Sequence, residues 1–275
     1  MNPITAIIQR NLLNFVRDRG RLLGSIVMSF FLLFIFSFIM KSSMSGLSQP
    51  MNYLIAGVII MTVFQASINN STDILSDIAS GYMKEVLVSP IARYQISIGH
   101  ILSGAIISVI QGTIITIVGL FIGLKLDIVQ FVQMIGVMGI AGLAFGAIGL
   151  FLATIARNSA SFQIISSMIT MPLTFLSGAY IPTTVMPKFL LPIVYVNPLT
   201  YITSIFRYIV LKLSGSGVEE LVNQGIAFRI HGFIVTPVMG LFLTVCIGFV
   251  FFIICVSKFN QADFSTVKVA ATPRR

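Results

Sequence analysis

The run FVQMIGVMGIAGLAFGAIGLFLATI, Phe131 to Ile155, carries no charged residue along its whole length. Roughly 20 helical residues cross the about 30 Å hydrocarbon core of a bilayer, so this run alone is long enough to span one. Its surroundings have the same character. Of the 275 residues, 56% are hydrophobic and 9% are charged, against roughly a quarter charged in an ordinary soluble domain. That shortage excludes a water-soluble fold and makes almost the whole chain membrane.

Working outward, the short Lys125–Asp127 turn separates this run from another, Ile96 to Ile122. On its other side the tight connection Arg157 to Ser159 leads to a span from about Ala160 to Ala179, with Pro172 inside it to kink the helix. Met51 to Asn70 and Leu22 to Met40 lie toward the amino terminus, and Phe233 to Ser257 toward the carboxyl terminus. These six runs predict an all-α integral membrane protein in which residues 1–275 form one transmembrane domain. Ahead of the first run, Ile4, Ile7, Ile8, Leu12, Phe15 and Val16 recur at helical spacing opposite Gln9, Arg10, Asn14, Arg17 and Asp18. That pattern predicts an amphipathic helix over residues 3–19, lying in the membrane interface. The run after it is long and has no small-residue cleavage site, so a retained span is expected rather than a signal peptide.

Residues 181–231 are punctuated by Pro182, Pro187, Pro192 and Pro198. Charge decides how to read them. With six spans and the amino terminus inside, only six of the 17 Lys and Arg residues fall outside, as the positive-inside rule requires. A seventh span within 189–213 would carry Lys258, Lys268, Arg274 and Arg275 to the outer face. Residues 181–213 are therefore expected as short helices or a re-entrant hairpin at the outer surface, with both chain termini cytoplasmic.

Several functions are disfavoured. The net charge of +9 comes from Lys and Arg set singly between apolar runs, not in a patch interleaved with aromatics, so no nucleic-acid partner is expected. All eight acidic residues and both histidines, His100 and His231, fall near span ends or in connections. A proton-coupled carrier would use an intramembrane relay, and a membrane hydrolase would need a nucleophile with its base, or a metal cluster. No catalytic residue and no metal site is expected, and the histidines read as interfacial hydrogen-bonding groups. Cys246 and Cys255, nine residues apart in one run, point to opposite helix faces and form neither a disulfide nor a metal pair. There is no G-x-x-x-x-G-K-[ST] phosphate loop, so if ATP drives the chain a partner must bind it. Gly119-x-x-x-Gly123 and Gly142-x-x-x-Gly146, with Gly136, Gly139 and Gly149, allow close helix approach, within the chain or between two copies.

The connection after the second span reads SGYMKEVLVSPIAR, Ser80 to Arg93. A helix from Tyr82 to Val88 would carry Met83, Val86 and Leu87 on one face and Lys84, Glu85 and Val88 around the rest, ended by Pro90. Physically it is either a knob for another protein's groove or a connection lying on the headgroups.

This stretch resembles the signature of ABC type-2 exporter permeases, in which a G-Y-x-K/E-x-L-L-V-S-P-like segment joins the second and third spans. A second resemblance follows: LSGAYIP, Leu176 to Pro182, then NPLTY, Asn197 to Tyr201, and Arg207 are similar to that family's fifth span, outer hairpin and N-P-L-T-Y-x(5)-R element. Where many relatives carry an Arg-Glu pair just before the glycine, Ile78, Ala79 and Ser80 stand here.

The resemblance implies a transport subunit, not an enzyme: two copies of the permease paired with two copies of a separate ABC ATPase, which holds the ATP and Mg while this chain binds no cofactor. It implies an exporter in a prokaryotic plasma or inner membrane. The amino-terminal helix and Gly81, Tyr82, Met83, Lys84, Glu85, Val86, Leu87, Ser89 and Pro90 would form the coupling seat, with Lys84 and Glu85 for polar docking and Val86 and Leu87 for apolar docking. The second and fifth spans would line the substrate path, making Phe64, Gln65, Asn69, Met168, Met171 and Phe175 candidate lining residues beside a plain packing role. Pro182, Asn197, Pro198, Tyr201 and Arg207 would build the outer hairpin, Arg207 as its anchor. A Phe- and Met-rich interior suits amphipathic or apolar cargo such as a drug, lipid or natural product. The rival is a gradient-driven secondary carrier or channel, which predicts internal repeats that the sequence does not show.

Overall fold

The computed structural model describes residues 2–43, 49–89, 91–230 and 232–261, with the side chains of residues 36–43, Lys84, Leu87 and residues 259–261 outside that description. The helices are α1 (Pro3–Arg17), α2 (Arg19–Ser43), α3 (Pro50–Asn69), α4 (Thr72–Ala79), α5 (Tyr82–Val88), α6 (Arg93–Ile122), α7 (Ile128–Ile155), α8 (Ser159–Leu176), α9 (Leu191–Val196), α10 (Pro198–Val210), α11 (Val218–Asn223) and α12 (Pro237–Gln261). Strands β1 (Phe228–Ile230) and β2 (Phe233–Val235) form a small antiparallel hairpin. Among the described residues, α3 with α4, α6, α7, α8 and α12 are each long and apolar enough to cross a membrane. The 25 residues of α2 have the length to do so as well. The chain is thus an all-α, multi-pass membrane protein.

The hub is α3, buried along almost all of its length from Tyr53 to Ile68 and surrounded by α2, α6, α7 and α10. Small residues bring the helices together. A Cβ on Gly142 would lie 2.8 Å from the Cα of Ala105, so α7 and α6 meet nearly backbone to backbone there. Gly142 and Gly149 are therefore spent on packing within the chain, whereas Gly136 and Gly139 face open space.

Three span ends differ from the pattern read in the sequence. Beyond Asn70 and Ser71 the second span resumes as α4, so Asp73 and Asp77 stand on a helix instead of in a polar connection. Hydropathy could not show this, because each of these carboxylates is matched by an arginine brought from α1 or α2. The fifth span stops at Leu176, short of Ala179, where the chain turns at Ser177 and Gly178. The sixth starts at Pro237: Phe233–Val235, expected as helix, pairs with Phe228–Ile230 as a strand. Proline at the start of a helix loses no hydrogen bond, because the first amides have no intrahelical acceptor.

The bundle has two distinct ends. At one, α1, α4, α5 and the first turn of α6 gather. At the other lie the turn before α7, α11 and the hairpin. Helices α9 and α10 meet at Asn197 with a bend of 87° between Lys188–Val196 and Pro198–Val210. The bend sits inside the bundle, since the Pro198 carbonyl accepts from Thr244 Oγ1 at 3.3 Å, about 10 Å along α12 from its start. The pair enters and returns on one side, as a re-entrant hairpin.

Candidate functional site

At the first end α5 runs from Tyr82 to Val88, opened by Gly81 at φ 83°, a conformation that costs glycine little and other residues more. Met83 is 2% exposed, and Val86, one turn on, packs on the same core. Val86, expected as an apolar docking residue, is half-buried there. Among the described side chains of α5, Glu85 and Val88 are exposed, the latter at 88%. The side chains of Lys84 and Leu87, and Pro90 altogether, lie outside the described residues. Ser89 donates to the Val86 carbonyl at 2.5 Å, which closes the last turn.

Arg10 fastens this helix to the spans. Its Nη1 donates to Asp77 Oδ2 at 2.6 Å and its Nη2 to Asp77 Oδ1, a forked pair, while the guanidinium lies 3.9 Å over the ring of Tyr82. Forked carboxylate pairing and stacking are geometries that arginine supplies and lysine does not. The hydrogen bond to Asp77 raises the Arg10 pKa, so the group stays charged under all working conditions. A second pair, Arg21 Nη1 to Asp73 Oδ1 at 3.0 Å, ties the start of α2 to α4. Below them Asn11 Nδ2 donates to Ser103 Oγ at 2.8 Å and lies 3.3 Å from His100 Nδ1, and His100 Nε2 is 4.0 Å from Asp77 Oδ2. Ile7, Asn11 and Phe15, four residues apart, are the buried stripe of α1. The amphipathic helix is therefore docked on α6 through this stripe.

The six residues proposed to line a path divide into three groups. Phe64 is 1% exposed and packs edge-on against Phe145, ring centroids 4.7 Å apart, so it belongs to the core. Gln65 and Asn69, one turn apart on α3, are exposed in a groove of about 310 Å³ between α2 and α3 that also holds Ser25, Thr62 and Gln111. Met168, Met171 and Phe175 are exposed along the open face of α8, at 72%, 64% and 47%.

At the bend, Asn197 does two things. Its Oδ1 accepts from the Leu199 amide at 3.0 Å, capping α10, and its Nδ2 donates to the Leu173 carbonyl at 2.8 Å, near the end of α8. Tyr201 donates its hydroxyl to the Tyr195 carbonyl at 2.5 Å, bracing α10 against α9. Pro198 starts α10, and Pro182 leads into a short turn at Thr183–Val185. Arg207 is buried. It donates from Nη1 to the Gly178 carbonyl at 2.7 Å, from Nη2 to the Ala179 carbonyl at 2.6 Å and from Nε to the Tyr53 carbonyl at 3.4 Å, and it stacks 3.4 Å over the Tyr53 ring. Gly57 makes room, since a Cβ there would stand 2.2 Å from the Ala179 carbonyl oxygen. Among the described residues no group of three or more His, Cys, Asp and Glu could hold a metal.

A bundle of spanning helices with a short helix tethered at one end and a bent pair at the other defines a polytopic membrane protein of the permease kind. The ABC-2 type transporter family model matches residues 2–211, and the chain belongs to that family. It is 24% identical over 173 residues to the inner membrane transport permease YadH of Escherichia coli, covering 60% of this chain and 64% of YadH. It is 24% identical over 161 residues to the putative transport permease ycf38 of Cyanophora paradoxa, covering 58% and 56%. With the probable multidrug ABC transporter permease YbhR of Escherichia coli it shares 26% identity over 159 residues, 56% of this chain and 42% of YbhR. The chain thus spans less than two thirds of the length of these relatives.

Proposed function

We propose that the chain is the permease subunit of an ATP-binding-cassette exporter in a bacterial-type plasma or inner membrane. Two copies pair with two copies of a separate ATPase, which binds ATP and Mg. The observation that carries this reading is the seat: a seven-residue helix, outward at Glu85 and Val88, held by Arg10 to both Tyr82 and Asp77. A connection that merely rested on headgroups would not need a forked ion pair and a cation–π contact to fix its angle.

Force applied to α5 reaches α4 through Arg10 and Asp77, and α4 continues α3, the hub of the bundle. Transport then requires substrate and ATP to favour different states of one two-state assembly. The groove of Gln65 and Asn69 and the open Met and Phe face of α8 suit cargo with a polar head and an apolar body. The name of YbhR supports a drug-like amphiphile as one such class.

The test is purification of the tagged chain from native membranes in mild detergent, identification of the co-purifying ATPase, and reconstitution of both. ATP-dependent export by the pair, and none by the chain alone, is the expected result. Uphill transport by the chain alone without nucleotide would overturn the reading in favour of a secondary carrier.

A further inference from the structure

At the end of the bundle away from the seat, α7, α10 and α12 enclose a groove of about 630 Å³ that the proposed transport cycle does not use. Its floor is apolar, formed by Val137, Ile140, Ile205 and Leu241. It is open sideways at Gly136, where an added Cβ would meet nothing within 4 Å. Its rim is polar. Lys212 Nζ and Asp127 Oδ2 stand 2.7 Å apart there, both well exposed, and Gln133 and Ser214 complete the edge. Gln130 fixes the rim by donating to the Ile209 carbonyl at 2.7 Å, which holds the last turn of α10 against the first turn of α7.

Lys212 sits there under strain. At φ 56° and ψ 43° it is the one non-glycine residue with positive φ among the described residues. The position just past the end of a helix is where glycine is usually found, because a Cβ is disfavoured in the left-handed region. Pairing with Asp127 does not account for a lysine in that place, since an exposed ion pair contributes little. A second use for the ammonium does.

Depth supplies the occupant. Ile140 lies thirteen residues beyond Asp127, about 20 Å along the helix, which is close to one headgroup layer plus one leaflet of hydrocarbon. The groove therefore has the length of one lipid, with a cation and a carboxylate side by side at headgroup level. We propose that it binds a phospholipid with a primary-ammonium head, of the ethanolamine class. The phosphate lies against Lys212, the ammonium against Asp127 and the Gln133 amide oxygen, and one acyl chain lies in the apolar slot. A choline head has no N–H to donate to Asp127, and an anionic head brings its charge toward that carboxylate.

The test is native mass spectrometry of the delipidated chain in mild detergent, offered equal amounts of dioleoyl phosphatidylethanolamine, phosphatidylcholine and phosphatidylglycerol. The wild-type chain is expected to retain the ethanolamine lipid about fivefold over the other two, the order of one net hydrogen bond at an exposed rim. Lys212→Gly, which relaxes the backbone, is expected to melt no lower than wild type and to retain less of all three lipids, because it removes the contact to the phosphate they share. Gly136→Phe, directed into open groove, is expected to lower retention of all three lipids, and Asp127→Asn to shift it toward phosphatidylglycerol. Equal retention of the three lipids by the wild type would overturn the proposal, as would an undiminished ethanolamine preference in Asp127→Asn or undiminished retention of all three lipids in Gly136→Phe.

Discussion

Arg207 satisfies its charge with three backbone carbonyls and a tyrosine ring instead of a carboxylate. Arg207→Met would strand the Gly178 and Ala179 carbonyls in a dry site, a loss of about 2–4 kcal/mol. Arg207→Lys, with one compact donor group in place of a planar fork, should fall between. Melting of the purified chain, followed by maleimide labelling of buried Cys255 in a Cys246→Ser background, reads this directly. An unchanged midpoint for Arg207→Met would refute the anchoring role. The arginine itself was visible in the sequence, but its partners were not, because main-chain carbonyls leave no mark in residue identity. Arg10 and Asp77 illustrate a different blindness: 67 positions separate them, and no local pattern couples them. A double-mutant cycle of Arg10→Gln and Asp77→Asn should show a coupling of about 1–2 kcal/mol in stability; strict additivity would mean that the pair is decorative.

Among the elements, the spans were legible because a bilayer imposes one length and one polarity on every crossing segment, and α6, α7 and α8 begin within a few residues of the places their apolar runs indicate. What the bilayer does not dictate was not legible. The extension of the second span into α4 depends on arginines from other helices, and the strand Phe233–Val235 is as apolar as the helix that follows it. Helix α5 was legible in extent and in the shared face of Met83 and Val86, but not in what that face meets, which tertiary contact decides. The outward side makes its own prediction. Val88→Asp puts a charge into the proposed docking surface at an exposed position, so insertion and melting should match wild type. Substrate-stimulated ATP hydrolysis by the reconstituted pair should fall by about tenfold or more, the result of burying an unpaired carboxylate at an interface. Full stimulation in that variant would place the contact elsewhere.

For the whole molecule, the open question in the sequence was parity: whether residues 181–213 make one more crossing and so move the carboxyl-terminal basic residues to the other side. Packing answers it within the chain. A Cβ on Gly248 would meet Ala144, and Phe251 meets Phe151 with ring centroids 5.6 Å apart, so α12 runs alongside α7 and both finish at the seat. Lys258, in the last turn of α12, is therefore on the same side as Arg10 and Val88, and the bent pair does not cross. If the seat receives an ATPase, that side is the cytosol. In a background lacking Cys246 and Cys255, Val88→Cys and Lys258→Cys should both react with a membrane-impermeant maleimide only in inverted vesicles, and Ser216→Cys, near α11, only in intact cells. Labelling of Val88→Cys and Lys258→Cys from opposite sides would restore a seventh crossing. Labelling of both from outside would leave the fold intact and remove the ATPase seat, so the two failures are distinguishable in one experiment.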